Sequence, residues 1–170
     1  MIDLFGLEGK AALVIGGGQG MGESSARLLA RAGCDVAIVD IDRDRAERVA
    51  ALVRELGRKG VAIAANVLDD HEAEQAVGEA EHALGRLDVM VSIVGQALFT
   101  PIVDMSPEDW DSDQRRNLRY FFIAWRWASL SGRRGVEMLP GATELTRMPC
   151  TAHSTAIDFT SWTRPAFAAP

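Results

Sequence analysis

Two lysines, two cysteines, three histidines and one tyrosine are all that this 170-residue chain holds of those residue types, and each scarcity closes off a class of function. Cys34 and Cys150 stand far apart, with no Cys-x-x-Cys spacing and no second ligand pair. This argues against a disulfide framework or a zinc ribbon and points to a reducing, cytoplasmic compartment. His71, His82 and His153 have no mutual spacing suited to a metal. Basic residues are outnumbered, 18 against 24 acidic ones, and the net charge of -6 leaves no footprint for nucleic acid or an anionic membrane. No apolar run approaches the ~18 residues of a membrane span. The opening MIDLFGLEGK also lacks the basic start and long apolar core of a signal peptide. The length suits one soluble domain of ordinary size.

Glycine, by contrast, is concentrated. In LVIGGGQGMG, residues 13–22, five of ten residues are glycine, and they join the apolar run AALVI to the helical segment ESSARLLARAG. Lys10 to Ile15, Asp35 to Val39, Val61 to Ala65 and Leu87 to Val94 are short apolar runs rich in Val, Ile and Ala, the signature of buried strands. Three segments of helical period lie between them. In the clearest, Ala46, Val49, Ala50, Val53 and Leu56 share one face while Arg45, Glu47, Arg48 and Glu55 face outward. Asp42 and Asp69 stand at N-cap positions, and Glu72 follows Asp69 by three, as in a capping box. A further helix opens with Ser106 as N-cap, Pro107 at N1 and Asp109 at N3, and runs through aromatic residues to about Ser129. Strand and helix therefore alternate. This order predicts an α/β fold: a Rossmann-like, doubly wound parallel sheet with helices on both faces.

After the first strand of such a sheet the chain must turn sharply into a helix. A ligand phosphate bound there needs backbone N–H groups within reach, and a Cβ obstructs both. The glycines fit the spacing G-x-x-x-G-x-G, as Gly16, Gly20 and Gly22. Asp40 closes the second strand, 20 residues after Gly20, where a carboxylate accepts hydrogen bonds from the adenosine ribose and repels a 2'-phosphate. NAD is thus expected over NADP, with Arg43 and Arg45 near enough to soften the discrimination. The plainer alternative is a tight turn in any α/β domain. No Gly-Lys-Ser/Thr follows, which excludes a P-loop; a methyltransferase, whose first strands end similarly, is the competing ligand class.

The chain resembles the N-terminal half of a short-chain dehydrogenase/reductase over about residues 5–130. LEGKAALVIGGGQGMG is similar to that family's opening strand and Thr-Gly-x-x-x-Gly-x-Gly turn, with Ile15 in place of the threonine. VAIVDIDRDRAERV puts Asp40 at the position that selects NAD, and in AANVLDDHEAEQAV, Asn66 and Val67 stand where the family has Asp-Val beside the adenine. LDVMVSIVGQA is similar to the fourth strand and its Asn-Asn-Ala-Gly turn, of which Gly95 remains. SPEDWDSDQRRNLRYFF is similar to the fourth helix, with Asn117 at the place of the catalytic asparagine that holds a water in the proton relay. The resemblance implies Gly16, Gln19, Gly20, Met21, Gly22, Asp40, Ile41, Asn66, Val67 and Gly95 as cofactor-binding residues, and association of copies through the fourth helix. Asn66 also reads as a capping or turn residue, and Asn117 as a surface or helix-bending one. The cluster Tyr120, Phe121, Phe122, Trp125 and Trp127 reads as a packing face before a substrate box.

The family's chemistry also needs a serine after a fifth strand and a Tyr-x-x-x-Lys on the next helix, where the tyrosine moves the proton and the lysine lowers its pKa. The only tyrosine is Tyr120 and the only lysines are Lys10 and Lys59. From Val136 to Pro170 neither strand-like runs nor helical periodicity continue. Threonine occurs once before that segment and six times within it, and four of the six prolines lie there. The organisation expected is a dinucleotide-binding domain over 1–130, incomplete at its C-terminal side, and an atypical tail over 131–170. The tail reads as a reading-frame shift or a divergent terminus. Two functions follow: an NAD-dependent oxidoreductase of alcohol or carbonyl compounds that is inactive as this chain, or a non-catalytic dinucleotide-binding or interaction module.

Overall fold

A computed structural model of the chain describes residues 6–131. Readings that fall on 132–170, including Cys150, His153 and the tail, lie outside the described residues. The four apolar runs form parallel strands β1 (Ala11–Ile15), β2 (Asp35–Asp40), β3 (Gly60–Ala64) and β4 (Val89–Ser92), in the order β3-β2-β1-β4. Register places Leu13 beside Ala37 on one side and Met90 on the other. β4 is shorter than its apolar run. Beyond Ser92 the chain leaves the sheet, and Ile93 N makes a last bond to Ile15 O at 3.0 Å.

Helices α1 (Gly20–Arg31), α2 (Arg43–Glu55) and α3 (Asp70–Leu84) alternate with the strands. Each strand is apolar on both sides, so its successive side chains feed two cores. Ala12, Val14, Val36 and Ile38 pack with Ala26, Ala46, Val49 and Val53 of α1 and α2. Leu13, Ile15, Ala37 and Val39 pack with Ala73, Val77 and Ala80 of α3 and with Tyr120, Ile123 and Ala124. The sheet is therefore doubly wound.

Asp42 and Asp69 cap α2 and α3, each accepting two backbone N–H bonds. The capping box is not closed, because the Glu72 carboxylate passes Asp69 and accepts from Asn66 N at 2.7 Å. Leu56 falls beyond the end of α2 and is exposed rather than packed. The last helix is interrupted: α4 (Pro107–Gln114) passes through a π-helical turn, Arg115–Arg119, into α5 (Tyr120–Ser131). The aromatic cluster is divided by this geometry. Tyr120 enters the core, whereas Phe121, Phe122, Trp125 and Trp127 are exposed, so the packing face consists of Tyr120, Ile123 and Ala124 instead. No helix of the described residues is long and apolar enough to cross a membrane.

Candidate functional site

In an open parallel sheet the crevice lies beyond the C-terminal strand ends, where neighbouring connections leave toward opposite faces. Here that point falls between β1 and β4, since β2 and β3 extend the other way. A cavity of about 410 Å³ occupies it, within the range of small-molecule sites. Gly16, Gln19, Gly20 and Met21 after β1 line it, with Asp40 and Ile41 after β2, Asn66 and Val67 after β3, and Gly95 after β4. Gly22 alone of the expected cofactor-binding residues does not.

Gly22 serves packing. A Cβ there would lie 2.0 Å from the carbonyl oxygen of Gly16, so the start of α1 sits directly on the turn that precedes it. Gly20 differs. Its φ of +55° is one that side chains disfavour, yet an added Cβ would meet nothing within 4 Å. The space over the start of α1 is open. The N-cap Gln19 makes no side-chain bond to the first N–H groups of α1, in contrast to Asp42, Asp69 and Ser106 on the later helices. Those N–H groups, with the positive end of the helix dipole, suit a phosphate. A pyrophosphate-bearing group therefore fits the cradle.

Asp40 is buried, 7% exposed, and almost fully engaged. Its Oδ2 accepts from Gly18 N at 3.0 Å, while Oδ1 accepts from Asp42 N at 3.0 Å and from Arg45 Nη2 at 2.8 Å. Gly18 makes this possible, because a Cβ there would lie 2.5 Å from Oδ2. Arg45 thus turns back to the cavity, which it lines, rather than facing outward. Arg48 is likewise committed, donating to Gly18 O at 2.9 Å and to Glu23 at 2.8 Å, and so ties the glycine turn to α1 and α2. The hydrogen bond from Arg48 holds the Glu23 carboxyl below its ordinary pKa.

Asn66 forms a turn: its Oδ1 accepts from Leu68 N at 3.2 Å while the residue lines the cavity floor. Asn117 lies in the π-helical turn and is bound to backbone on three sides. Its Nδ2 donates to Gln96 O at 3.1 Å and Asp113 O at 2.8 Å, and its Oδ1 accepts from Gln96 N at 3.0 Å. Gly95 permits that approach, since a Cβ on it would stand 2.6 Å from Asn117 Oδ1. Asn117 therefore anchors the loop after β4. A second, more open cavity of about 480 Å³ runs from Met21 past Ile93 to Asn117, Tyr120 and Phe121.

These features coincide with a family. The short chain dehydrogenase family model matches residues 10–130. The chain belongs to the short-chain dehydrogenase family. A short-chain dehydrogenase/reductase of Armillaria gallica is 40% identical over 123 residues, covering 71% of this chain and 47% of that protein. The 2,3-dihydro-2,3-dihydroxybenzoate dehydrogenase of Bacillus subtilis is 32% identical over 124 residues, covering 73% and 48%. Among solved structures, a Burkholderia cenocepacia short-chain dehydrogenase in complex with NADP has a TM-score of 0.66 at 35% identity, with 73% of this chain and 51% of that one covered. The chain spans about half the length of the curated relatives it matches.

Membership in the family and the Rossmann-like fold together imply a dinucleotide cofactor, NAD or NADP. Sequence reasoning missed three contacts around that site. Nothing in the spacing of Asp40 and Arg45 announces an ion pair, because the side chains meet only after the β2–α2 turn is built. The bond from Ser92 Oγ to Tyr120 Oη at 2.7 Å joins residues 28 apart and had no local signal. Val94, in the loop after β4, lines the cavity, and its Cγ2 lies 2.9 Å from where a Cβ on Gly16 would stand.

Proposed function

We propose that residues 6–131 form the NAD-binding half of an oxidoreductase acting on an alcohol or carbonyl compound. In this reading Gly16, Gln19, Gly20, Met21 and Gly22 build the pyrophosphate turn, Asp40 and Ile41 face the adenosine, Asn66 and Val67 flank the adenine, and Gly95 lies beside the second ribose. The observation that carries it is the cavity at the reversal of strand order, where nine of these ten residues meet beside the uncapped start of α1. Bound there, the nicotinamide supplies hydride transfer. The chain's own residues orient it: the first N–H groups of α1 hold phosphate, and Asn117 fixes the β4 loop through Gln96. The exposed Phe121, Phe122 and Trp125 support association of copies through the last helix.

Hydride transfer at an alcohol carbon requires a proton to move at the oxygen. These 170 residues hold no Tyr-x-x-x-Lys, and Tyr120 has its hydroxyl engaged, donating to Val94 O at 2.5 Å. The 170-residue chain therefore binds NADH without turnover. Fluorescence titration of the purified chain with NADH, against a Gly20→Val control, tests the binding. Absence of a saturable, Gly20-dependent signal refutes it. NADH formation over a panel of secondary alcohols tests the second part, since a missing acid/base lowers the rate by ~10²- to 10⁴-fold. Turnover above the Gly20→Val control refutes that part.

A further inference from the structure

Met21 is the second residue of α1 and is 72% exposed. The cavity at the strand ends and the more open one beside Asn117 share three lining residues, Met21, Ile93 and Val94. Met21 therefore forms the α1 side of their junction, and Ile93 and Val94 form the β4 side. Its backbone is fixed, since its carbonyl oxygen accepts from Ser25 Oγ at 2.8 Å. The other methionines among the described residues are less open: Met90 packs against the core and Met105 is half-buried. The thiol of Cys34 is fully buried. A small oxidant that enters the groove thus meets the Met21 sulfur before any other sulfur of the described residues, and exposure governs how fast sulfur is oxidised.

We propose that Met21 is an oxidation site: hydrogen peroxide converts its thioether to the sulfoxide, and the groove then holds the dinucleotide less tightly. The inference rests on the dinucleotide reading above and adds a modification to it. In the step, sulfur gives an electron pair to one peroxide oxygen, and the O–O bond breaks as the S–O bond forms. The departing hydroxide takes the proton from the sulfur-bound oxygen and leaves as water. A flexible apolar side chain thereby becomes a polar one. Without ligand, water solvates the sulfoxide oxygen. A bound dinucleotide displaces that water, and the side chains of Ile93 and Val94 offer no donor in return, so the lost solvation weakens binding. The oxygen also carries partial negative charge beside the first N–H groups of α1, the position offered to phosphate.

Hydrogen peroxide treatment of the 170-residue chain, read by peptide mass mapping, tests the site, and fluorescence titration with NADH tests its effect. Met21 should oxidise faster than Met90 and Met105 in the same sample, and saturating NAD should slow Met21 selectively. Oxidation should raise the NADH dissociation constant by about tenfold, the scale of one polar group covered without a partner. Methionine sulfoxide reductases should restore the affinity. Met21→Leu, whatever its own affinity, should bind NADH equally before and after peroxide. Undiminished NADH affinity in chain oxidised at Met21, or oxidation of Met21 no faster than that of Met90, overturns the proposal and leaves the dinucleotide reading standing. Failure of the untreated chain to bind NADH overturns both.

Discussion

Gly20 and Gly22 are two residues apart, yet alanine at each should fail differently. At Gly22 the added Cβ would lie 2.0 Å from Gly16 O and 2.8 Å from both Gly16 C and Gly17 Cα. All three are backbone atoms, so no rotamer relieves the clash, and α1 must retreat from the turn by more than an ångström. Overpacking costs ~1–3 kcal/mol in ordinary cores, and a backbone collision belongs at the upper end. At Gly20 no protein atom lies within 4 Å. The cost there is conformational, ~1–2 kcal/mol for a left-handed residue, offset by ~0.4–1 kcal/mol from the stiffer unfolded chain. Gly20→Ala should therefore lose about 1 kcal/mol and Gly22→Ala about 3 kcal/mol. With a urea dependence of ~2 kcal/mol per M, the midpoints should fall by about 0.5 M and 1.5 M. Urea unfolding followed by far-UV dichroism reads those shifts, and NADH titration reads binding. Gly20→Ala should weaken NADH more than its stability loss explains, because its methyl group projects into the groove. Equal midpoints for the two variants would refute the packing argument, and undiminished NADH affinity in Gly20→Ala would refute the approach of phosphate.

Tyr120→Phe removes a hydroxyl that is 3% exposed by residue and bonded to both Ser92 and Val94, so it should cost ~1–3 kcal/mol in urea unfolding. A variant as stable as the parent would show that these bonds contribute nothing net. The hydrogen bond from Arg119 holds the Asp70 carboxyl below its ordinary pKa, so this link between α3 and the π-helical turn stabilises above the unfolded-state value and is lost as pH falls through the lower folded value. The difference in urea midpoint between parent and Arg119→Ala should be constant near neutrality and vanish below the carboxylate range; a gap that persists in acid would exclude the ion pair as its cause. Phe122 and Trp125, 58% and 51% exposed, should drive association that Phe122→Ser with Trp125→Ser reduces, and a single monomeric mass for the parent at high concentration in sedimentation would count against that surface.

The fold was legible because its signals are local. Val-rich runs of strand length, Asp42 and Asp69 as caps and glycines at a strand end each act within a few residues, and each landed within about two residues of the observed boundary. Where sequence reasoning stopped short, the deciding contact joined distant segments. The period of α2 assigned Arg45 outward because helical phase places a Cβ, not the end of a long side chain. Five atoms beyond that Cβ, the guanidinium reaches Asp40. The aromatic run after Arg119 looked like one face because aromatic side chains were grouped by composition. Helical phase then sent Phe121, Phe122 and Trp125 away from the sheet that Tyr120 enters.

Register within a motif singled out Asn117, and the structure shows it in a backbone-bridging role that the motif does not state. Asn117 lies within the π-helical turn, Arg115–Arg119. Its Nδ2 donates to Asp113 O at 2.8 Å and to Gln96 O at 3.1 Å, so one side chain ties the helix to the strand-end loop. Gly95 has to be small for the same reason, with Asn117 Oδ1 2.6 Å from where a Cβ would stand. The Gly95 and Asn117 positions are thus one unit, coupled through Gln96. A methyl group at Gly95 would expel the amide and loosen the loop after β4.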